Sequence, residues 1–256
     1  MARPPRSQPG SFGKLTYRPA SDEGLVPQAL EFIRRQLPVW RDDPRRPEIA
    51  SETTSERLLN FSLCRHLNRC RADHPMFQFE HETPQTGSRT VDIGVFGTNE
   101  NSMIEARSYS SYEPFLVVEA KRLPAPSKDR EREYVTGTDK KSGGPTGGIQ
   151  RFKLGLHGAE IEAAVMVGYI ESNSPQHWLT VVNKWIRELA TTSSTDACVW
   201  TKAETLQAVD VDEINGVSAS TSAHQRLSGC VTESILLHHY WIVMNPSRSA
   251  SQDSAR

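Results

Sequence analysis

A run of eight apolar residues, Ala163–Ile170, is the feature that most narrowly limits how this chain can fold. It is far shorter than the roughly 20 residues that a membrane-spanning helix needs. Its length is typical of a strand buried inside a sheet. A second buried strand is predicted at Phe115–Leu123, and 256 residues are ample to enclose both in a core.

Helices and strands are predicted to alternate along the rest of the chain. Apolar spacing predicts helices near 27–37, from 51–55 to 70, at 149–157 and from Ser174-Pro175 to about 190. Further strands are predicted near 77–83, 89–96 and 234–244, with a polar loop over 97–113. The fold class is therefore α/β or α+β, with a central mixed sheet flanked by helices in αβββαβ order.

One domain with additions at both ends is expected. We predict a flexible arm at 1–22, a core over 23–195, a C-terminal extension packed on the core at 196–246, and a disordered tail at 247–256. The first residues have no apolar segment typical of a secretion signal. The four cysteines include no Cys-x-x-Cys pair, so we expect a reduced, cytoplasmic protein. The short apolar run leads us to expect no membrane segment.

Charge is balanced overall but uneven locally. The 30 Lys and Arg residues against 31 Asp and Glu residues exclude a polycationic nucleic-acid coat. Nine basic and four acidic residues lie between positions 120 and 153, a local net charge of +5. We interpret this stretch as a phosphate-binding surface, with a solvated loop as the alternative. Its candidate contacts are Arg122, Lys140, Lys141, Arg151 and Lys153.

Glycines within the basic stretch and histidines near the C-terminus indicate a function less specifically than the charge pattern does. The run Gly143–Gly148 lacks the Gly-Lys-Ser/Thr ending of a nucleotide-binding loop, so it is interpreted as a hinge or a close backbone approach, with its amides near a phosphate as a further option. His224 and Arg226 could face a phosphate together. His238 and His239 are interpreted as hydrogen-bonded structural histidines.

Charged residues interrupt the apolar strands at three positions. Glu119 and Lys121 are two apart, so they share one face of their strand, and Asp92 is a similar exception in an earlier strand. Burying such groups is costly unless they pair or bind a ligand. Asp92 and Glu119 could hold Mg²⁺, or Mn²⁺ in its place, while Lys121 orients the attacking water. A structural salt bridge is the alternative.

Two helices contribute further polar candidates. Glu56 falls on the apolar stripe of the second helix, with Glu52 on the same stripe, which suggests a carboxylate directed toward the site. In the helix after the Glu-x-Lys strand, Gln150, Lys153 and His157 share one polar face.

Taken in order over residues 50–190, these positions resemble the PD-(D/E)xK nuclease superfamily, also called restriction-endonuclease-like. The resemblance implies Asp92 and Glu119 as metal ligands, Lys121 as the catalytic lysine, Glu56 as a helix acid that supports the metal, and Gln150 as a helix glutamine that orients Lys121 or the phosphate. Val91 stands where the proline of the family name would precede the aspartate.

The function implied by this resemblance is a magnesium-dependent endonuclease that hydrolyses phosphodiester bonds. DNA is the expected substrate, and bacterial restriction or antiphage defence is the expected role. A homodimer would allow double-strand cutting, although the sequence does not show one, and a place as partner subunit in a defence complex is a further option. The alternative is a non-catalytic nucleic-acid-binding or partner subunit on the same fold.

Overall fold

A seven-stranded mixed sheet forms the centre of the computed structural model. The strands are β1 (Phe77–Pro84), β2 (Thr90–Gly97), β3 (Asn101–Ile104), β4 (Arg107–Ser110), β5 (Pro114–Leu123), β6 (Ala163–Ile170), β7 (Asp210–Asp212), β8 (Val217–Gln225) and β9 (Ser234–Val243). The sheet order is β1-β2-β5-β6-β9-β8-β7, with β5, β6 and β9 parallel and the other neighbours antiparallel. Strands β3 and β4 form a separate hairpin.

The structure describes residues 24–45, 54–85, 87–104, 106–192, 196–207, 210–227 and 229–244. The predicted arm at 1–22, the predicted tail at 247–256 and Glu52 lie outside these residues.

Four helices accompany the sheet in this part of the chain. They are α1 (Leu25–Arg41), α2 (Glu56–Cys70), α3 (Gly148–Lys153) and α4 (Pro175–Thr191). Two begin at serine caps, because a serine side chain satisfies an amide that the first helical turn leaves without a partner. Ser55 accepts a hydrogen bond from the Leu58 amide, and Ser174 accepts one from the His177 amide. Among the described residues, we find no helix with the length and apolar content to cross a membrane.

The predicted α+β class with a mixed central sheet is confirmed, but two local predictions are wrong. The supposed loop at 97–113 contains the β3–β4 hairpin, whose strands lack a clear apolar alternation. The helix predicted at 149–157 ends at Lys153, because Gly155 turns the chain with a φ of +67°, a conformation open mainly to glycine.

The segment 196–246, predicted as a C-terminal extension, supplies three strands of the same sheet. β9 lies beside β6 and carries β8 and β7 outward. Both faces of β6 are buried, which explains its uniformly apolar sequence. On one face, the ring of Tyr169 lies 5.6 Å from that of Trp40 on α1, and its hydroxyl donates to Asn60 Oδ1 at 2.8 Å on α2.

A chain of buried polar side chains crosses β8 and β9. Trp241 Nε1 donates to the Tyr134 hydroxyl at 2.8 Å, which lies 2.7 Å from His239 Nδ1. The Ser222 hydroxyl lies 2.7 Å from both His239 Nε2 and His224 Nε2. His239 is therefore a hydrogen-bonded structural histidine, as predicted.

His224 does not face a phosphate with Arg226, contrary to the prediction. His224 is fully buried, whereas Arg226 donates to the Gly158 carbonyl at 2.8 Å. The alternation along β8 places position 224 on the inner face of the sheet, together with Ser218, Ser220 and Ser222.

Candidate functional site

Glu119 and Lys121 lie together on β5, and both are buried, with 1% and 6% of their surface exposed. Lys121 Nζ is 2.9 Å from Glu119 Oε1. The register pairs Glu119 with Met166 and Lys121 with Gly168 on the parallel neighbour β6. The prediction that the two side chains share one face of the strand is confirmed.

Asp92 reaches this pair from the antiparallel neighbour β2. The register pairs Ile93 with Val118, and one step further along both strands would set Asp92 opposite Glu119. The Asp92 side chain bridges the two strands there, because its Oδ2 accepts a hydrogen bond from the Ala120 amide at 2.7 Å. The two carboxylates predicted as neighbours therefore belong to adjoining positions on paired strands.

Glu56 approaches the same lysine from the first turn of α2. Its Oε1 accepts a hydrogen bond from Lys121 Nζ at 3.2 Å, and its Oε2 accepts one from the Arg122 amide at 3.1 Å. The Ser55 cap fixes the start of the helix and so fixes the position of Glu56. The predicted orientation of this helix acid toward the site agrees with these contacts.

Two further groups reach Glu119 from α3 and the turn that follows it. Arg151 Nη1 donates to Glu119 Oε1 at 3.1 Å, and His157 Nδ1 lies 3.2 Å from Glu119 Oε2. Sequence reasoning assigned Arg151 to a surface and gave His157 no role. No sequence signal locates His157 at the site, because the helix on which it was predicted to share a polar face with Gln150 ends at Lys153. The short distance between this region and β5 becomes visible only in three dimensions.

The charges of this cluster shift the pKa of each member. Burial raises the pKa of Asp92 to about 8, and the neighbouring Glu119 adds to this effect. Burial also acts to raise the pKa of Glu119, but Lys121, His157 and Arg151 outweigh it and hold that pKa below its usual value. Burial acts to lower the pKa of Lys121, but the surrounding carboxylates raise it above its usual value. The cluster therefore keeps Glu119 and Lys121 charged and favours a proton on Asp92.

The donor chemistry of the cluster suits Mg²⁺, which prefers carboxylate oxygens. As arranged, however, the carboxylates do not fit a metal ion. In the part of the chain that the structure describes, no three Asp, Glu, His or Cys side chains lie close enough together to hold one. Glu119 already faces Lys121 and Arg151 through one oxygen and His157 through the other.

Gln150 occupies a different position from the one predicted. Its Oε1 accepts hydrogen bonds from the Gly137 and Gly147 amides, both at 3.1 Å, and its Nε2 donates to the Asp196 carbonyl at 3.2 Å. Since the side chain is buried and its polar atoms form hydrogen bonds with backbone groups, it holds the loop before α3 and does not orient Lys121.

The five predicted phosphate contacts do not form one surface. Lys140 and Lys141 are exposed, and Lys140 pairs with Asp129. Arg122 is mostly buried and pairs with Glu171 at 2.6 Å. Arg151 belongs to the Glu119 cluster.

Lys153 must be removed from the predicted phosphate surface. It is buried and pairs with Glu204, and its Nζ donates to the Gln225 carbonyl at 3.1 Å. Because these two partners hold its ammonium group in the interior, Lys153 does not contribute to a phosphate-binding surface.

The glycine run before α3 makes the close backbone approach that was predicted. The amides of Gly148, Ile149 and Gln150 donate to the carbonyls of residues 133–135. These amides are therefore not available to a phosphate, and that option is wrong.

No family model, curated protein or solved structure matches the chain.

Proposed function

We propose that the chain is a nuclease that hydrolyses phosphodiester bonds in DNA, with the Glu119–Lys121 cluster as its active site. The observation that carries this proposal is the convergence of β2, β5, α2 and α3 on one buried lysine and three carboxylates. A fold that encloses so many charges at one point bears a cost in desolvation that a purely structural role does not require.

The chemistry we propose for these side chains follows from their charges. The Lys121 ammonium group holds a water molecule for attack and opposes negative charge that develops at the phosphate. Arg151 adds a second positive charge beside the same carboxylate. Glu56 fixes Lys121 through the 3.2 Å hydrogen bond.

Magnesium, or manganese in its place, remains the cofactor that we propose. A divalent ion supplies charge neutralisation and an activated water in this kind of reaction. Since Glu119 faces protein cations on both oxygens, the cluster would have to rearrange before it held such an ion.

The test is plasmid cleavage by the full chain with Mg²⁺, with Mn²⁺ and with EDTA. We expect metal-dependent cutting that falls at least about a hundredfold in Lys121→Ala, the usual cost of removing one electrostatic contact to a transition state. Lys184→Ala is the matched control, because Lys184 is an exposed lysine on α4 whose side chain is 70% accessible. Circular dichroism of each variant separates lost activity from lost fold. Equal cutting by both variants would contradict the assignment of Lys121.

A second candidate is a non-catalytic nucleic-acid-binding or partner subunit on the same fold. The observation that favours it is the pairing of Glu119 with Lys121 and Arg151, which balances the carboxylate without a metal ion. Under this alternative the wild-type chain cuts neither DNA nor RNA with any of the metals, and Lys121→Ala lowers stability only.

A further inference from the structure

A groove of about 610 Å³ lies on the outer side of α2, beside the residues that follow α1. Its lining includes Leu58, Phe61, Arg65 and Arg69 on the helix and Arg45 after α1. Glu56 and Arg65 are nine positions apart, about two and a half turns of helix, so they project from opposite sides of α2. The groove is therefore separate from the Glu119–Lys121 cluster.

Two arginines at the rim of the groove are positioned by one buried carboxylate. Asp43 accepts hydrogen bonds from Arg45 Nε and from Arg69 Nη2, both at 2.9 Å. The arginine side chains nevertheless remain 72% and 51% exposed. Because a guanidinium group has five N–H donors, each arginine keeps donors free for a ligand.

A third arginine adds charge that nothing in the described residues balances. Arg65 has no carboxylate partner within the described ranges, and its guanidinium carbon lies 5.6 Å from the centre of the Phe61 ring. Counted over the described residues, the groove carries three guanidinium groups and one carboxylate, a positive excess that suits an anionic ligand.

The floor of the groove is apolar and aromatic. Phe61 and Leu58 are 41% and 42% exposed, although they stand on a helix whose other face supplies core residues. His81 packs edge-on against Phe61 with the ring centres 5.6 Å apart. An exposed aromatic ring beside arginines combines a stacking surface for a base with donors for the adjoining phosphates.

We infer that this groove binds single-stranded nucleic acid, with an unpaired base on Phe61 and phosphates on Arg45, Arg65 and Arg69. The ligand is single-stranded because a base inside a duplex does not offer its face to a side chain. This inference rests on residues other than those of the proposed active site and does not depend on cleavage.

Binding of the full chain to a fluorescein-labelled oligothymidylate in EDTA tests the inference. We expect Phe61→Leu to weaken binding about fivefold to a hundredfold, the usual effect of losing one stacked base. Arg65→Gln should weaken binding and reduce the slope of log affinity against log salt by about 0.7, the value for one lost contact with a single strand. Arg35→Gln is the matched control, since Arg35 is 75% exposed on α1 and pairs with Glu31 outside the groove.

Three outcomes would overturn the inference. The first is a wild-type chain that does not bind the oligonucleotide. The second is wild-type affinity in Phe61→Leu and Arg65→Gln as well as in Arg35→Gln, while all three variants keep the wild-type melting temperature. The third is tighter binding to a duplex of the same length with no effect of Phe61→Leu. EDTA excludes metal-dependent cutting, so a chain without nuclease activity can still pass this test, and an active nuclease can fail it.

Discussion

Lys153 and Glu204 form an ion pair in the protein interior, where the surrounding side chains decide whether a charge can be tolerated. Lys153 Nζ also donates to the Gln225 carbonyl at 3.1 Å and lies 4.8 Å from the centre of the Trp200 ring. The sequence shows the charge of Lys153 but not these neighbours, which come from positions 47 to 72 residues away. That is why a residue predicted to contact phosphate lies in the core.

Removal of the acidic partner leaves a buried ammonium group without compensation. We therefore expect Glu204→Gln to lower the free energy of unfolding by about 3–5 kcal/mol. Glu160→Gln is the control, because Glu160 is 63% exposed and lies 3.6 Å from Arg107, and exposed pairs contribute about 0–1 kcal/mol. Urea unfolding at neutral pH measures both. Similar losses in the two variants would contradict a special role for the buried pair.

The same carboxylate should give the fold a defined acid sensitivity. Burial acts to raise the pKa of Glu204, but His224 and Lys153 outweigh it and lower that pKa from 4.5 to about 2. A carboxylate with a lower pKa in the folded state stabilises the fold above the unfolded pKa, and this stabilisation is lost as pH falls from about 4.5 to about 2.

We therefore expect the urea midpoint of the wild type to fall over this range, and to fall less steeply in Glu204→Gln. Urea midpoints of both proteins, measured at successive pH values from about 5 to about 2, check this prediction. Parallel curves for the two proteins would show that Glu204 does not titrate as stated.

Among the elements, α3 has a backbone packed unusually close to the preceding loop. A Cβ added to Gly147 would lie 2.3 Å from Thr136 Cα and 2.7 Å from the Val135 carbonyl oxygen. Backbone atoms cannot move aside as a flexible side chain can. The glycine is therefore required by the distance between two segments, even though its φ of −67° is open to any residue.

Gly147→Ala should destabilise the fold by about 1–3 kcal/mol, as overpacking usually does. In Gly144→Ala the nearest atom to the new Cβ is the hydroxyl oxygen of the exposed Ser142 side chain at 3.3 Å, with no backbone atom closer, so little change is expected. Thermal unfolding of both variants is the measurement. A Gly147→Ala protein as stable as the control would mean that the two segments can separate freely.

Elements with strong apolar patterns were predictable, and those with polar patterns were not. The uniformly apolar β6 and the stripe of Trp178, Val182 and Trp185 on α4 both appear where the sequence predicts them. β8 was missed as a strand because its buried face carries serines and a histidine, the reverse of the usual alternation. Its polar groups are accommodated by hydrogen bonds to residues distant in sequence.

The residues of the candidate site likewise divide into those that the sequence predicts and those that it does not. Asp92, Glu119, Lys121 and Glu56 stood out because each interrupts an apolar pattern, and their mutual contacts agree with the prediction. Arg151 and His157 lie about 30 to 40 residues beyond Glu119, the first on α3 and the second in the turn that follows it, among other polar residues. Their contacts with Glu119 depend on how α3 crosses β5, which no local pattern specifies.

Across the whole molecule, the strand β9 joins the two halves of the sheet. It pairs in parallel with β6 over eight positions and antiparallel with β8 over nine. A chain that ends at residue 226 would lose this strand, leaving β8 and β7 without a neighbour that connects them to β6. Buried side chains such as Ile235, Leu237 and Ile242 would be lost from the core with it.

We expect this truncated chain to show no cooperative unfolding transition. Circular dichroism during urea titration, together with size-exclusion chromatography, checks the prediction. A sharp transition retained without β9 would mean that residues 24–192 fold independently of the last strands.

The buried hydrogen bonds that run from Trp241 to His224 determine which ring nitrogen of each histidine carries a hydrogen atom. An indole nitrogen only donates, so the Tyr134 hydroxyl accepts from Trp241. Because the hydroxyl is buried, its own hydrogen stays paired when it is given to His239 Nδ1 at 2.7 Å. Neutral His239 then carries its hydrogen on Nε2 and gives it to Ser222, which in turn donates to His224 Nε2. Burial favours the neutral form of both rings by lowering their pKa values. The two imidazoles are thereby locked into opposite tautomers, with the hydrogen on Nε2 in one and on Nδ1 in the other.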